Sequence, residues 1–241
     1  MTKKLVKVSL PKSSSDAFKR VHELLKRGWI DVPEEYTGTG APGNYLEDLV
    51  NGTTKTKNNR DSPDYKDWEV KFHGGGALVT LFHKDPEPKG VTRSILHEHG
   101  YLNSKNQVCF RHTIRGRSKR GFYVVNSTDR IIVRHETKDS VVPVWRHNTL
   151  FNAMGAKLRR FILVDGKYNK TTRKIVFNTA TAYWDFKHLV FFDALQNGIV
   201  CIDFDMHTKE GAGTTIRDHG TKFRIKNSDI IHLYENSQKI T

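Results

Sequence analysis

Three features of the chain predict a mixed α/β fold: stretches with helical apolar spacing, runs of strand-forming residues, and turn residues placed to join neighbouring runs. A length of 241 residues permits one large globular domain or a single fold with two lobes sharing a continuous core. Hydrophobic residues make up 37%, which supplies a packed interior and excludes a chain disordered throughout.

Ser15 to Gly28 reads as a helix, with Ser15 suited to the N-cap, Phe18, Val21, Leu24 and Leu25 as an apolar stripe, and Gly28 suited to the C-terminal cap. After a linker containing Pro and Gly, Gly43 to Asn51 reads as a second helix. It is buried through Tyr45, Leu46, Leu49 and Val50, with Glu47 on a different face. The polar run Lys55 to Tyr65 reads as a loop. Trp68 to His73 and Ala77 to His83 read as strands, and Gly74 to Gly76 would close them into a hairpin. A second hairpin joins Gly121 to Val125 and Arg130 to Arg134 through Asn126, Ser127, Thr128 and Asp129. Asn148 to Phe161 places Leu150, Phe151, Met154, Leu158 and Phe161 at helical spacing, with Lys157, Arg159 and Arg160 close by. His188 to Gln196 reads as a helix stopped by Asn197 and Gly198, and Ile199 to Phe204 as a buried strand.

Charge points to a partner class. Forty Lys and Arg against 26 Asp and Glu leave a formal +14, which attracts polyanions over a screening length of about 8 Å. Nucleic acid is the leading candidate. Cys109 and Cys201 stand in no metal-ligand spacing, so buried free thiols in a reducing compartment are expected. Met1 to Leu10 lacks the apolar core of a secretory signal, and no stretch approaches the roughly 20 apolar residues of a membrane span. A soluble cytoplasmic protein is the expectation. The run Gly74 to Gly76 lacks the Lys and Ser/Thr of a P-loop, so ATP dependence is not expected. His97, Glu98 and His99 lack the further ligands a zinc site needs.

The chemistry concentrates in Pro63 to Lys71, which runs Pro-Asp, four residues, then Glu-x-Lys. On a strand Glu69 and Lys71 point to one face and Val70 to the other. Asp64, arriving from the preceding loop, can close on Glu69 to make a hard-oxygen site for Mg²⁺. A metal there could polarise a phosphate and lower the pKa of bound water, while Lys71 orients that water and stabilises developing charge. Glu47, upstream on its helix, is a fourth candidate. Carboxylates so placed would repel one another unless a cation or proton intervened.

The run Gly43 to Glu47, then Asp64, Glu69 to Lys71, and Val79 to Phe82, resembles the MutH-like branch of the PD-(D/E)XK nucleases. Within that branch, Arg217 to Arg224 is similar to the MvaI/BcnI family of restriction endonucleases, over roughly residues 43 to 225. MutH itself has a longer gap between its Asp and Glu, which favours the restriction enzymes. The resemblance implies a restriction-endonuclease-like core, a central mixed sheet flanked by helices, with two lobes around a DNA cleft. Residues 1–110 would be mainly the catalytic lobe and 111–241 mainly the DNA-recognition lobe, the two sharing chain segments. It implies a type II restriction endonuclease from a prokaryotic cytoplasm, a monomer cutting duplex DNA one strand at a time. Glu47, Asp64, Glu69 and Lys71 would take the catalytic positions, with Asp64, Glu69 and the Val70 carbonyl on Mg²⁺. Mn²⁺ is expected to substitute, and Ca²⁺ to support binding without cleavage. A cognate DNA methyltransferase is implied genetically.

For DNA contact the candidates are Arg217, His219, Lys222 and Arg224 on the segment Gly211 to Arg224. An arginine reading guanine bidentately is worth about 1 to 3 kcal/mol of discrimination, so a GC-containing site is expected. The alternative reading pairs Arg217 and Arg224 with carboxylates such as Asp218 and Asp229 and leaves His219 on the surface. His73 shares the face of Lys71 and lies near DNA on the same reading, or is a satisfied structural histidine. Arg111, Arg115, Arg117, Lys119 and Arg120 suit phosphate contacts, or a solvated face. Two other functions remain open: a MutH-like nicking repair endonuclease activated by a partner, and a non-catalytic DNA-binding protein whose binding is metal-independent.

Overall fold

The structure is a computed structural model that describes residues 14–52, 63–76, 78–138, 140–209 and 215–241. In chain order it begins with helix α1 (Ser14–Leu25), strand β1 (Ile30–Asp31), helix α2 (Ala41–Asn51) and strands β2 (Glu69–His73) and β3 (Val79–His83). Helix α3 (Val91–His99) and strands β4 (Tyr101–Leu102), β5 (Val108–Ile114), β6 (Phe122–Asn126), β7 (Arg130–His135) and β8 (Val144–Arg146) follow. Then come helix α4 (His147–Lys157), strands β9 (Arg160–Asn169) and β10 (Lys174–Phe186), and helix α5 (His188–Gln196). Strands β11 (Val200–Thr208), β12 (Ile216–Asp218) and β13 (Lys222–Ile225), a 3-10 helix (Asn227–Leu233) and strand β14 (Tyr234–Ile240) complete the chain. The mixed α/β class follows. Among the described residues no helix is long and apolar enough to cross a membrane.

Two compact units result, each discontinuous in sequence. The first takes the described parts of Met1–Ala77, Ala156–Phe186 and Tyr234–Thr241; the second takes Leu78–Gly155 and Lys187–Leu233. Residues 78–110, placed by the sequence reading in the first half, fall in the second unit, and a cut after residue 110 would sever β5. A compact unit is closed by long-range pairing, which local composition does not mark.

The first unit is built on one sheet in the order β1-β10-β9-β2, with β14 also pairing β10. Parallel pairing of β2 with β9 leaves β2 at the edge. Ala17, Val21 and Leu24 on α1 and Leu46 and Val50 on α2 recur at helical spacing and are buried with Val70, Ile162, Val164, Phe177 and Ala182. Burial stabilises the fold by about 1.5–3 kcal/mol for each Val, Leu, Ile or Phe of this set, and by less for the alanines. Gly52, left-handed at φ 75°, ends α2 and returns its N–H to Asp48 O at 2.8 Å. Gly166 is required where β9 passes β10 and β2, because a Cβ there would lie 2.2 Å from Val176 O.

The second unit contains a six-stranded sheet in the order β3-β13-β11-β5-β4, with β12 beside β11, and a three-stranded sheet β6-β7-β8. Its core is aromatic: Phe82 stacks on Phe223 at 4.7 Å between ring centroids, and Trp145 and Phe191 meet Phe223 at 5.6 and 6.0 Å. Cys109 and Cys201 are buried and free.

Several elements depart from the sequence reading. The hairpin expected between Trp68 to His73 and Ala77 to His83 does not form: β2 pairs β9 and β3 pairs β13, in different sheets. Both strands are apolar enough to find buried partners elsewhere, and a glycine run permits a hairpin without compelling one. The helix expected to reach Phe161 ends at Lys157; Arg160 and Phe161 open β9, where Phe161 pairs in register with Glu69. Leu158 and Phe161, three residues apart, continue the helical spacing of Leu150, Phe151 and Met154, so apolar periodicity alone does not mark where the helix gives way to the strand. Helix α1 ends at Leu25, three residues short of Gly28. The β6–β7 hairpin forms as expected, and β8 extends it. Most of the expected loop Lys55 to Tyr65, and Gly211 to Thr214, lie outside the described residues.

Candidate active site

Alternation along β2 makes the site. Val70 enters the apolar cluster and Phe72 packs against it, so Glu69 and Lys71 face the other way. Lys71 Nζ is 3.0 Å from Glu47 Oε1, 3.0 Å from Asp64 Oδ2 and 2.7 Å from Glu69 Oε1. Helix α2 therefore delivers Glu47 to the strand, and the four catalytic candidates meet around one ammonium. Asp64 and Glu69 are 7% and 2% exposed, so water screens this cluster weakly.

The approach of Asp64 is held by its loop. Tyr65 and Trp68 exchange two backbone hydrogen bonds, of 3.0 and 2.8 Å, across a turn in which Lys66 adopts φ 52°. Asp16 of α1 accepts from the Tyr65 hydroxyl and from Lys66 Nζ at 2.5 and 2.6 Å. Hydrogen bonds from Lys66 and then Tyr65 hold its carboxyl down at about 2. On the other side of the turn Asp67 pairs with Arg160 of β9. Asp64 Oδ2 then accepts from the Val70 N–H, 3.0 Å away.

Electrostatically the cluster is short of positive charge. Burial pushes the Glu69 carboxyl up to about 7; Lys71 opposes the rise and Asp64 adds to it. Burial also raises Glu47, against Lys71. Burial works against the charge of Lys71, but Glu69, Asp64 and Glu47 together outweigh it and hold its pKa above the ordinary lysine value. Part of the positive charge that the repulsion argument requires is thus supplied by Lys71 itself, and a deficit remains.

Lys157, the last residue of α4, carries little local sign of a role at the site. Its Nζ lies 3.1 Å from Glu69 Oε2. The only local signal was a basic run after an apolar helix. Tyr234 is buried near Glu69, whose charge contributes to holding its hydroxyl protonated after burial itself.

Among the described residues no group of three or more His, Cys, Asp or Glu is gathered to hold a metal ion as it stands. Lys71 Nζ takes the space between the carboxylates. The donor chemistry nevertheless fits a hard divalent cation: the oxygens are anionic, two of the three carboxylates are buried, and they converge on a point where positive charge already resides.

His73 continues the face of Lys71, and its Nδ1 lies 2.6 Å from Asp165 Oδ1, its register partner on β9. Its ring is thereby tied to a carboxylate.

The remaining DNA candidates lie in the second unit: Arg217 on β12, Lys222 and Arg224 on β13, His219 between those two strands, and Arg115 and Arg117 between β5 and β6. Arg224 Nη1 donates to Asp203 Oδ2 at 3.0 Å and Nη2 to Leu78 O at 3.1 Å. Its carboxylate partner is therefore Asp203, neither Asp218 nor Asp229. Thr113 Oγ1 donates to the other oxygen of Asp203 at 2.6 Å. Lys222 Nζ and Arg111 Nε lie 3.6 and 3.2 Å from Asp205. Arg217 is opposite His207 in register, and the rings of His207 and His219 stack at 5.9 Å. Arg111, His112, Thr113, Asp203, Phe204 and Asp205 line an open hollow of about 310 Å³. Arg115 is exposed. Arg117 pairs with Glu136 and lies 5.0 Å over the Tyr123 ring. Asp203 and Asp205 were missed, although the alternation through His207 marks a polar strand face; the expected strand stopped at Phe204.

A profile of the MvaI/BcnI restriction endonuclease family matches residues 18–234. Among solved structures, the chain is similar to a restriction endonuclease MvaI–cognate DNA substrate complex, with a TM-score of 0.80 and 19% identity over 97% of this chain and 100% of that one. It is also similar to restriction endonuclease MvaI in the absence of DNA, with a TM-score of 0.56 and 21% identity over the same shares. No curated protein matches.

Proposed function

The chain belongs to the MvaI/BcnI restriction endonuclease family, and from that premise we propose that it is a type II restriction endonuclease hydrolysing phosphodiester bonds of duplex DNA with Mg²⁺. The observation that carries the reading is the convergence of Glu47, Asp64 and Glu69 on Lys71 at 2.7–3.0 Å, at the edge of a sheet where a backbone phosphate can approach. A passive DNA-binding surface has no use for three carboxylates so close together.

Asp64, Glu69 and the Val70 carbonyl would hold Mg²⁺, which supplies Lewis-acid polarisation of the phosphate and a more acidic attacking water. Mn²⁺ can substitute, and Ca²⁺ supports binding without cleavage. Lys71 holds the attacking water by hydrogen bonding and stabilises charge accumulating on the phosphate oxygens. Glu47 fixes the direction of the Lys71 ammonium from α2. The Asp16 and Arg160 pairs hold the turn between Asp64 and Glu69, so the carboxylates are placed before substrate arrives.

Arg217, His219 and Lys222 are the candidates for base contact, at a short site containing G·C pairs. Arg224 supports that face through Asp203, and Arg115 and Arg117 suit phosphates. The protein acts as a monomer, cutting the strands in turn, and a cognate methyltransferase protects host DNA. Digestion of unmethylated phage DNA with Mg²⁺, and in parallel with EDTA, followed by end sequencing, tests the proposal. Mg²⁺-dependent fragments sharing one terminal motif are expected. Nicks alone would favour the partner-activated nickase, and intact DNA with salt-sensitive, metal-independent binding would favour the non-catalytic reading.

A further inference from the structure

We propose that Lys157 is a positioning residue acting as an electrostatic latch on Glu69, which keeps a divalent cation from loading until duplex DNA is bound. The proposal rests on the reading of Asp64, Glu69 and Val70 as the cation's ligands.

Glu69 is 2% exposed, and each of its oxygens is engaged by an ammonium: Oε1 by Lys71 at 2.7 Å and Oε2 by Lys157 at 3.1 Å. The two lysines differ in how they are held. Lys71 is on the same strand as Glu69 and is shared among three carboxylates. Lys157 comes from the end of a helix 88 residues away in sequence, with its side chain 15% exposed. Its flexible four-carbon stem lets the charge swing toward a phosphate while the backbone stays in place.

Charge balance gives the latch its direction. With all three carboxylates ionised, two ammoniums leave the cluster one negative charge. A divalent cation alone would carry the buried cluster past neutrality, to one positive charge. A phosphodiester brings the compensating negative charge and also attracts Lys157, releasing Glu69 Oε2 to the cation. Cation and DNA therefore bind with positive coupling, a property of equilibrium affinities that must hold in both directions. Without Lys157 the cluster carries two negative charges, a match for a divalent cation in the absence of DNA.

The test is calorimetric titration with Ca²⁺, which avoids turnover, of the protein alone and of its complex with a short duplex bearing the site found by end sequencing. Lys157→Gln is expected to bind Ca²⁺ about tenfold more tightly than wild type without DNA, and to lose a similar factor of the gain that DNA confers. Lys157→Arg, which keeps the charge, should restore the wild-type values. Unchanged or weaker Ca²⁺ binding by a folded Lys157→Gln protein, checked by circular dichroism, would overturn the latch. Lys157→Met, with a stem of similar length, gives the same readout should the glutamine variant fail to fold. Glu69→Gln separates the latch from its premise: wild-type Ca²⁺ affinity in that variant would mean that Glu69 is not a ligand, whatever Lys157 does.

Discussion

Two strands of this molecule carry charge clusters that are balanced in opposite senses. Around β2 in the first unit, Glu47, Asp64 and Glu69 outnumber Lys71 and Lys157. Around β11 in the second unit, Arg111, Lys222 and Arg224 outnumber Asp203 and Asp205. The first arrangement leaves negative charge unmet and, through burial before all else, raises the pKa values of Glu47 and Glu69, which suits a cation. The second leaves a surplus of donors once its aspartates are satisfied, which suits a polyanion with acceptor groups. On the proposed roles, the cluster for chemistry is under-neutralised, whereas the cluster for recognition pairs its carboxylates and so aims its cations.

Lys71→Ala puts this contrast to its hardest test, because it removes the ammonium on which all three carboxylates converge. Single-turnover cleavage should fall by about 10³-fold or more, on the scale of losing a group that stabilises transition-state charge. DNA binding measured with Ca²⁺ should survive. Cleavage at the wild-type rate would leave the β2 cluster without its proposed role.

Arg224→Ala is the corresponding change on β11. It strands Asp203, which is 9% exposed and, among the described residues, would keep the Thr113 hydroxyl as its side-chain partner. Denaturant unfolding should show a loss of about 2 kcal/mol, as for a buried charged group deprived of its partner. No loss of stability would mean that Arg224 is available for DNA contact.

Opposite responses to pH follow from the two regions. Glu69, raised to about 7 from an ordinary 4.5, binds its proton more tightly when folded; that stabilisation is present at low pH and is lost as pH rises from about 4.5 to 7. His112, beside Asp203 and Arg111 in the second unit, is pushed down to about 4 from an ordinary 6.5, first by burial and then by Arg120. It stays neutral in the folded state, so its contribution is complete above pH 6.5 and is lost as pH falls toward 4. Denaturant midpoints measured across pH should become less acid-sensitive in His112→Asn and less sensitive to rising pH in Glu69→Gln. Matching profiles in both variants and wild type would break the contrast.

The smallest effect is expected for Arg117→Ala. The side chain is 65% exposed, and a surface pair such as Arg117–Glu136 adds at most about 1 kcal/mol to stability. If Arg117 meets a phosphate, the slope of log affinity against log salt should flatten by about 0.9. An unaltered slope would return Arg117 to its pair with Glu136.

Much of the candidate site could be read locally. Two-residue alternation puts Glu69 and Lys71 on one face and Val70 on the other, wherever the strand pairs. Helical spacing through Leu46 and Val50 implies a buried α2 with Glu47 off its apolar stripe. The six-residue reach from Asp64 to Val70 suffices for a turn to bring the carboxylate back to the strand. A net charge of +14 points to a polyanionic partner from composition alone.

What local reading missed depends on distant partners. The Gly74 to Gly76 run suggested a hairpin, but β2 finds β9 about 90 residues later, and that pairing also brings Asp165 to His73. Lys157 reads as a solvated helix end until α4 carries it to Glu69. Arg224 reads as a mobile reader of bases until β13 lies against β11 and Asp203 takes its guanidinium. Side-chain direction within an element depends on backbone period and is written in the sequence of that element. The choice between several apolar surfaces of similar quality is settled by the burial and hydrogen bonding of the whole unit, and with it the neighbours of every charge.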